Sequence, residues 1–207
     1  MSDLNVSLLV AVCDESLAMG WSTGPKLPFS LPKEYAWYSD MLTRTRDKNK
    51  RNVSIIGRKT FCIPVSVRPH GYNIVLSRNE NPWDDQTRRE LKKWDEKLDS
   101  KTMLATSYEQ ALDIVRGLPD VERVFNVGGV APYTAGFHHP SAFQKKEVGE
   151  RVPKTRVYAD CEGDVFFPNF DLSPLKDVTA QSDDILRGPQ EENGMKYQMF
   201  VYEKVEN

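Results

Sequence analysis

The sequence predicts one α/β domain with a mixed, mostly parallel central sheet, flanking helices and an antiparallel C-terminal strand. Strand-like runs alternate with helical patterns in the earlier part of the chain, which is typical of parallel crossovers. Several runs are almost continuously apolar, as expected for strands covered on both faces. The last two runs have no helix between them and predict an antiparallel pair. The predicted strands are 6–12, 52–57, 72–77, 101–106, 123–129, 155–160 and 196–205.

Two segments have the spacing of amphipathic helices. Residues 31–45 carry Tyr35 and Tyr38 on one face, and Pro32 suits the first helical turn. Residues 106–118 repeat apolar residues at helical spacing. Either Thr106 or Ser107 is a candidate N-cap of this second helix, because both side chains can accept a backbone hydrogen bond.

Two other segments are rich in charge or irregular. The run 84–101 interleaves both signs of charge, which indicates a solvated helix face. Residues 134–153 contain His138 and His139 and predict an irregular, exposed insertion. We expect no metal site there, because adjacent loop histidines rarely reach one ion.

Composition limits the classes of function. The 207 residues are 39% hydrophobic and 28% charged, which predicts a single globular domain over residues 1–207. The net charge of −2 offers no basic excess for nucleic acid or a membrane surface, so a local cluster must hold any anionic ligand. Cys13, Cys62 and Cys161 are odd in number and widely spaced, which argues against a disulfide framework and for a reducing compartment. The apolar run 6–12 is too short for a signal peptide or a membrane span, so we expect a cytoplasmic protein.

Three strand ends predict a site for a polyanionic cofactor. Arg58 and Lys59 follow one predicted strand, Arg78 follows the next, and the pair Gly128–Gly129 follows another. Cations beside free backbone N–H groups attract phosphate, and ligands of open α/β sheets bind at these strand ends. The glycine pair alone suits a tight turn equally well. The GxGxxG fingerprint is absent, so an ordinary dinucleotide-binding dehydrogenase is not supported.

Glu34 is the candidate acid–base residue, since it lies in the first turn of the predicted aromatic helix. A fully exposed first-turn glutamate is also favoured by the helix dipole, so two interpretations stay open. In the functional one, burial among aromatic rings raises the pKa of Glu34. The carboxyl group can then bind a protonated heterocycle or help to deliver a proton.

An ordered series of motifs resembles the dihydrofolate reductase family in its longer eukaryotic form. Each motif alone is unspecific, but together they follow the order of the family over nearly the whole chain. Beside the helix that carries Glu34, they are LLVAV (8–12), AMGW (18–21), LPF (27–29), IIGRKTF (55–61), CIP (62–64), NIVLSR (73–78), VGG (127–129), TRV (155–157), GDVFFP (163–168) and EENGMKYQMFVYEK (191–204).

The resemblance implies an eight-stranded central sheet and an NADPH-dependent enzyme. The implied reaction reduces 7,8-dihydrofolate to tetrahydrofolate, with hydride transfer to pterin C6 and protonation at N5. It supports one-carbon metabolism and the synthesis of thymidylate and purines. Dihydrofolate and antifolate-type small molecules are the implied partners, and the protein is expected to be a stand-alone monomer that needs no metal, nucleic acid or membrane.

The resemblance also implies the roles of individual residues. Glu34 holds the 2-amino and N3 edge of the pterin, Thr155 orients Glu34, and Phe29 replaces a common Trp whose indole N–H is lost. The implied substrate-binding residues are Leu9, Val10, Glu34, Tyr35, Tyr38, Ile63, Pro64, Arg68, Val127, Tyr133 and Thr155. The implied cofactor-binding residues are Ala11, Gly20, Trp21, Arg58, Lys59, Thr60, Leu76, Ser77, Arg78, Gly128, Gly129, Val130, Ala131 and Tyr133.

Departures from the family pattern leave alternatives open. Thr106 stands where some relatives have a further Arg, so Arg58 and Arg78 carry the preference for the 2′-phosphate of NADPH. The segment around Arg68 is shorter than usual, so either Arg68 binds the glutamate carboxylate of the folate or that contact is weakened. Two competing hypotheses are a pyrimidine reductase of the riboflavin pathway and an inactive pterin- or nucleotide-binding module. The presence of Glu34 and Thr155 argues against both.

Overall fold

Short strands and helices alternate along the chain in the computed structural model. The structure describes residues 4–23, 27–62, 71–79, 81–98, 100–139 and 151–204. The strands are β1 (Val6–Leu8), β2 (Val10–Cys13), β3 (Ala18–Gly20), β4 (Arg51–Gly57), β5 (Gly71–Leu76), β6 (Ser100–Ala105), β7 (Val121–Asn126), β8 (Arg151–Tyr158), β9 (Val165–Phe166), β10 (Leu175–Asp177), β11 (Gln190–Glu192) and β12 (Met195–Lys204). The helices are α1 (Pro32–Thr43), α2 (Arg58–Phe61), α3 (Asp85–Leu98), α4 (Tyr108–Arg116) and α5 (Val130–His138), with a 3-10 turn at Thr179–Gln181.

The N-terminal segment joins two sheets. The first has the order β1-β7-β4-β5-β6 and is parallel throughout. The second has the order β10-β12-β8-β2, in which β2 and β8 are parallel and β12 is antiparallel to its neighbours. Leu9 lies between β1 and β2, and its N–H donates to the carbonyl of Asn126 at 3.0 Å. With β1 and β2 as two halves of one strand, the order becomes β10-β12-β8-β1/β2-β7-β4-β5-β6, which confirms the eight-stranded, mostly parallel prediction.

Residues on β4 show why the central strands are almost continuously apolar. Val53 and Ile55 pack with Leu112 of α4, whereas Ile56 packs with Leu42 of α1. Because successive side chains of a strand point to opposite faces, both faces of β4 need apolar residues.

The side chain of Ser107, one of the two predicted caps, begins α4 by accepting from the N–H of Gln110 at 3.0 Å. The charge-rich run forms α3, a mostly exposed helix as predicted.

The predicted insertion over 134–153 is wrong at both ends. Helix α5 continues to His138, and β8 begins at Arg151; residues 140–150 lie outside the described residues. The apolar residues of α5 repeat only weakly at helical spacing, so the sequence pattern does not reveal the helix. Burial of Pro132 and Tyr133 against the sheet stabilises it instead. No set of three or more His, Cys, Asp or Glu side chains in the described residues is arranged to hold a metal ion.

The prediction of unpaired cysteines is also wrong. Cys13, at the end of β2, forms a disulfide with Cys161, with a Cα–Cα distance of 6.1 Å and a sequence separation of 148. Cys13 is the register partner of Val157 on the neighbouring strand β8, and the chain brings Cys161 back beside it only a few residues later. Cys62 is a free, exposed thiol. The argument from cysteine usage for a reducing compartment therefore loses its basis.

None of the helices in the described part of the chain is both long enough and apolar enough to cross a membrane.

Candidate active site

A buried carboxylate–hydroxyl pair lies where α1 packs on β8. Glu34 is in the first turn of α1 and is only 8% exposed. The hydroxyl of Thr155, on β8, donates to Oε1 of Glu34 at 3.0 Å, although 121 residues separate the two in sequence. The structure thus rules out the exposed interpretation of Glu34 and brings the two predicted residues into contact.

The surroundings of Glu34 shift its acidity. Burial raises the pKa of Glu34 to about 7; the hydrogen bond from Thr155 opposes the rise, and the charge of Glu192 adds to it. Burial and the charge of Glu34 also raise the pKa of Tyr38 on the same helix. Glu34 is therefore a carboxyl group that can gain or lose a proton near neutral pH.

The two tyrosines of α1 differ in exposure. Their ring centroids are 6.4 Å apart, but Tyr35 is 41% exposed and Tyr38 is half-buried. Helix α1 therefore carries an exposed aromatic ring directly after the buried carboxyl group of Glu34.

Leu9 and Val10 point to opposite faces of the sheet. Leu9 packs with Val127 on the side of α1, whereas Val10 packs with Tyr133 on the other side. The hydroxyl of Tyr133 donates to the carbonyl of Leu9 at 2.6 Å, which ties α5 to the first strand. Burial raises the pKa of Tyr133, and the proximity of Tyr38 and Glu34 contributes.

The glycine pair joins the end of β7 to α5 and contacts the end of β4. The peptide bond between Gly128 and Gly129 is cis. The carbonyl of Gly128 accepts from the N–H of Gly57 at 2.6 Å, and the N–H of Gly129 donates to the hydroxyl of Thr60 at 3.0 Å. Asn126 accepts from the N–H of Gly128 at 3.1 Å and braces the turn from inside. The pair is thus fixed against the end of β4 and against α2.

The strand-end cations share one edge of the sheet. Gly57 and Leu76 are register partners on β4 and β5, so the residues that follow them, Arg58 and Ser77, emerge side by side. Arg58 and Arg78 are both exposed, and neither forms an ion pair with a carboxylate of the described residues. This edge can therefore hold an anion.

Comparisons with known proteins agree with this geometry. A family model described as dihydrofolate reductase matches residues 5–204. The dihydrofolate reductase of Aedes albopictus is 33% identical over 205 residues, covering 96% of this chain and 97% of that protein. The enzyme of Sus scrofa is 34% identical over 206 residues, with 96% and 97% covered.

This chain belongs to the dihydrofolate reductase family. A solved structure of the Schistosoma mansoni dihydrofolate reductase superposes with a TM-score of 0.67 at 20% identity, covering 99% of this chain and 100% of that one, which shows the same fold. Membership makes the chain an oxidoreductase that acts on dihydrofolate with NADPH.

Several predicted residues occupy other surroundings. Phe29 is buried with Leu31, Tyr197 and the two disulfide cysteines, so its ring packs in the core beneath α1. Gly20 ends β3 and Trp21 follows it. The next residue, Ser22, donates from its N–H and its hydroxyl to Asp164. Ile63, Pro64 and Arg68 lie outside the described residues.

Sequence reasoning missed three polar residues around the site. Glu192 accepts the N–H of Lys33 at the start of α1, Asn126 braces the glycine pair, and Asp164 ties the segment after β3 to the start of β9. Glu192 and Asp164 bind backbone that is distant in sequence, whereas Asn126 lies only two residues before Gly128. Asn126 had a local signal, since it is a polar residue at the buried end of β7.

Proposed function

We propose that Glu34 and Thr155 form the polar end of a pterin site through which this chain reduces 7,8-dihydrofolate to tetrahydrofolate. The buried pair, 3.0 Å apart, carries the proposal, together with the pKa of about 7. A carboxylate poised near neutral pH can accept hydrogen bonds from the 2-amino and N3 edge of a pterin. The same pairing suits protonated antifolate-type heterocycles.

The two side chains have separate tasks. Thr155 donates to Oε1 and fixes the plane of the carboxylate, so Oε2 is directed to the ligand. Glu34 passes a proton towards N5 through water. Phe29 offers no N–H group to this water, so the carboxylate and backbone groups must hold it. Leu9, Val127 and the rings of Tyr35 and Tyr38 supply the apolar wall.

The edge formed by α2 and the glycine pair fits the cofactor. NADPH supplies the hydride that adds to C6. Arg58 and Arg78 hold its phosphates, with Lys59, Thr60, Leu76 and Ser77 beside them. At the glycine pair a side chain would crowd the junction, since a Cβ at Gly129 would lie 3.1 Å from the hydroxyl oxygen of Thr60. The bare backbone, with Val130 and Ala131 at the start of α5, lets the cofactor approach, and Ala11, Gly20, Trp21 and Tyr133 complete the proposed set.

The experiment is NADPH oxidation by the purified protein, followed by the loss of its absorbance with and without dihydrofolate. We expect oxidation that depends on dihydrofolate and is much faster with NADPH than with NADH. Glu34→Gln removes the titrating group, so turnover near neutral pH should fall by about 10²-fold or more, while NADPH binding stays unchanged.

Glu109→Gln is the matched control, because Glu109 is an exposed glutamate in the first turn of α4. It should behave as the unmodified protein. Full activity of Glu34→Gln would remove the proposed role of Glu34. Binding of both ligands without any oxidation would instead support the inactive binding module.

The proposal includes a monomer in the cytoplasm, as the family resemblance implies. Light scattering during size-exclusion chromatography tests the first point: a monomer should give the chain mass of 23.7 kDa, and a dimer twice that mass.

A further inference from the structure

Helix α1 has no cap from its own sequence. Its N-cap position is Leu31, which makes no side-chain hydrogen bond, and Pro32 follows it. The first turn of a helix leaves backbone N–H groups without partners inside the helix, and a carboxylate there satisfies them and complements the helix dipole. In α1 this carboxylate comes from far away: the N–H of Lys33 is 3.0 Å from both oxygens of Glu192.

The turn that carries Glu192 is itself fixed. Glu192 and Met195 are register partners at the ends of β11 and β12, so Asn193 and Gly194 form a two-residue turn. Both have positive φ, +50° and +75°, as this kind of hairpin requires. The side chain of Asn193 donates to the carbonyl of Ser30 at 3.0 Å, which adds a second contact just before α1.

The segment before this hairpin also holds α1. The indole N–H of Trp37 donates to the carbonyl of Asp184, and Arg44 lies 3.4 Å from the carboxylate of Asp184. The helix that carries Glu34 is therefore attached at its start, middle and end to one stretch of the C-terminal third of the chain.

We propose that Glu192 is a positioning residue that holds the first turn of α1, and with it the carboxylate of Glu34, in the orientation that the substrate needs. This inference rests on the proposed function of Glu34. Glu192 also acts through its charge, since it raises the pKa of Glu34 and contributes to that of the buried Tyr197 on β12.

Among the described residues around Glu34, the other groups with a shifted pKa are phenols. They are Tyr35 and Tyr38 on α1, Tyr133 on α5 and Tyr197 on β12, and burial raises the pKa of each of them, so they are neutral near pH 7. Of these neighbours, Glu192 is the one that contributes a charge. Removing that charge should therefore lower the pKa of Glu34.

Two variants separate the hydrogen bond from the charge. Glu192→Gln keeps an oxygen acceptor for the N–H of Lys33 but removes the charge, so the NMR titration midpoint of the Glu34 carboxyl carbon should move to lower pH. Glu192→Ala removes both, so KM for dihydrofolate should rise by about three- to thirty-fold, the range of a lost helix cap, while KM for NADPH stays constant. Glu192→Gln should recover most of that KM.

Glu191→Gln is the matched control, because Glu191 is the exposed neighbour on β11 and loses the same charge. The inference is overturned if both Glu192 variants match Glu191→Gln in the titration midpoint and in KM. If Glu192→Ala does not fold, Glu192→Asp decides instead, because it keeps the charge but is one methylene group too short to hold the N–H of Lys33 in the same way, so KM for dihydrofolate should rise. Full activity of Glu34→Gln would contradict the proposed function instead, so the two failures are distinguishable.

Discussion

Glu34 combines deep burial with a hydrogen bond that the hydroxyl of Thr155 donates to one of its oxygens. An isolated carboxylate in an apolar interior is costly, and the group responds by keeping its proton up to higher pH. The hydroxyl of Thr155 limits this response by stabilising the ionised form. The balance leaves Glu34 with a pKa of about 7 instead of 4.5.

That pKa makes the stability of the ligand-free protein depend on pH. The folded state binds the proton of Glu34 more tightly than the unfolded state does, so protonation of Glu34 stabilises the folded state. This contribution is complete below about pH 4.5 and is lost as pH rises through about 7. The difference between the pKa values of Glu34 in the folded and unfolded states corresponds to roughly 3 kcal/mol, at about 1.36 kcal/mol per pH unit. Urea unfolding should therefore show that Glu34→Gln gains stability over the unmodified protein between about pH 5 and about pH 8. A difference that stays constant over this range would contradict the assigned pKa.

At the scale of elements, the passage from β7 to α5 shows how closely backbone and side chain meet. Gly128 has φ of +78°, and a Cβ there would lie 2.3 Å from ring atoms of Tyr133. That ring has no room to retreat, because Tyr133 is buried and its hydroxyl is bound to the carbonyl of Leu9. The junction therefore needs a glycine for its space as well as for its conformation.

Gly128→Ala and Gly188→Ala separate these two requirements. Gly188 also has a positive φ, +71°, but a Cβ there would meet nothing within 4 Å. Gly188→Ala should cost about 1–2 kcal/mol for the left-handed backbone alone. Gly128→Ala should cost about 1–3 kcal/mol more through overpacking, and it should also weaken NADPH binding. Urea unfolding measures the first effect and fluorescence titration the second; equal losses of stability would refute the role of the Tyr133 contact.

At the scale of the whole molecule, distant segments hold one another in place. The disulfide joins the end of β2 to the segment after β8, and the hairpin of β11 and β12 holds the start of α1. Bidentate hydrogen bonds from Arg156 on β8 to Asp14, the residue after Cys13, reinforce the same junction. Strand β8 and the segment after it thus fix the N-terminal strand, and the hairpin of β11 and β12 fixes the helix that carries Glu34.

The disulfide gives a prediction at this scale. Without reductant, the denatured protein should show one reactive thiol, Cys62, and three after reduction. The chain-entropy model assigns about 5 kcal/mol to a bond that closes such a long loop, so Cys161→Ser should lower the free energy of unfolding by up to that amount. Cys62→Ser is the control and should change it little. Three reactive thiols before reduction would show that the bond does not form.

The sequence alone determined the layered architecture, because buried parallel strands need apolar residues on both faces and amphipathic helices need one apolar stripe. It also indicated Glu34 and the strand-end cations as candidate site residues, since each stands at the end or start of a recognisable element. Only the tertiary structure decided three other contacts: Glu192 at the start of the helix that carries Glu34, Tyr133 beside Gly128, and Cys161 beside Cys13. The family resemblance had already implied the contact between Thr155 and Glu34 that the structure shows. The physical reason is that local periodicity reports burial, whereas a hydrogen bond, a disulfide or a pKa shift depends on which distant segments the sheet brings together.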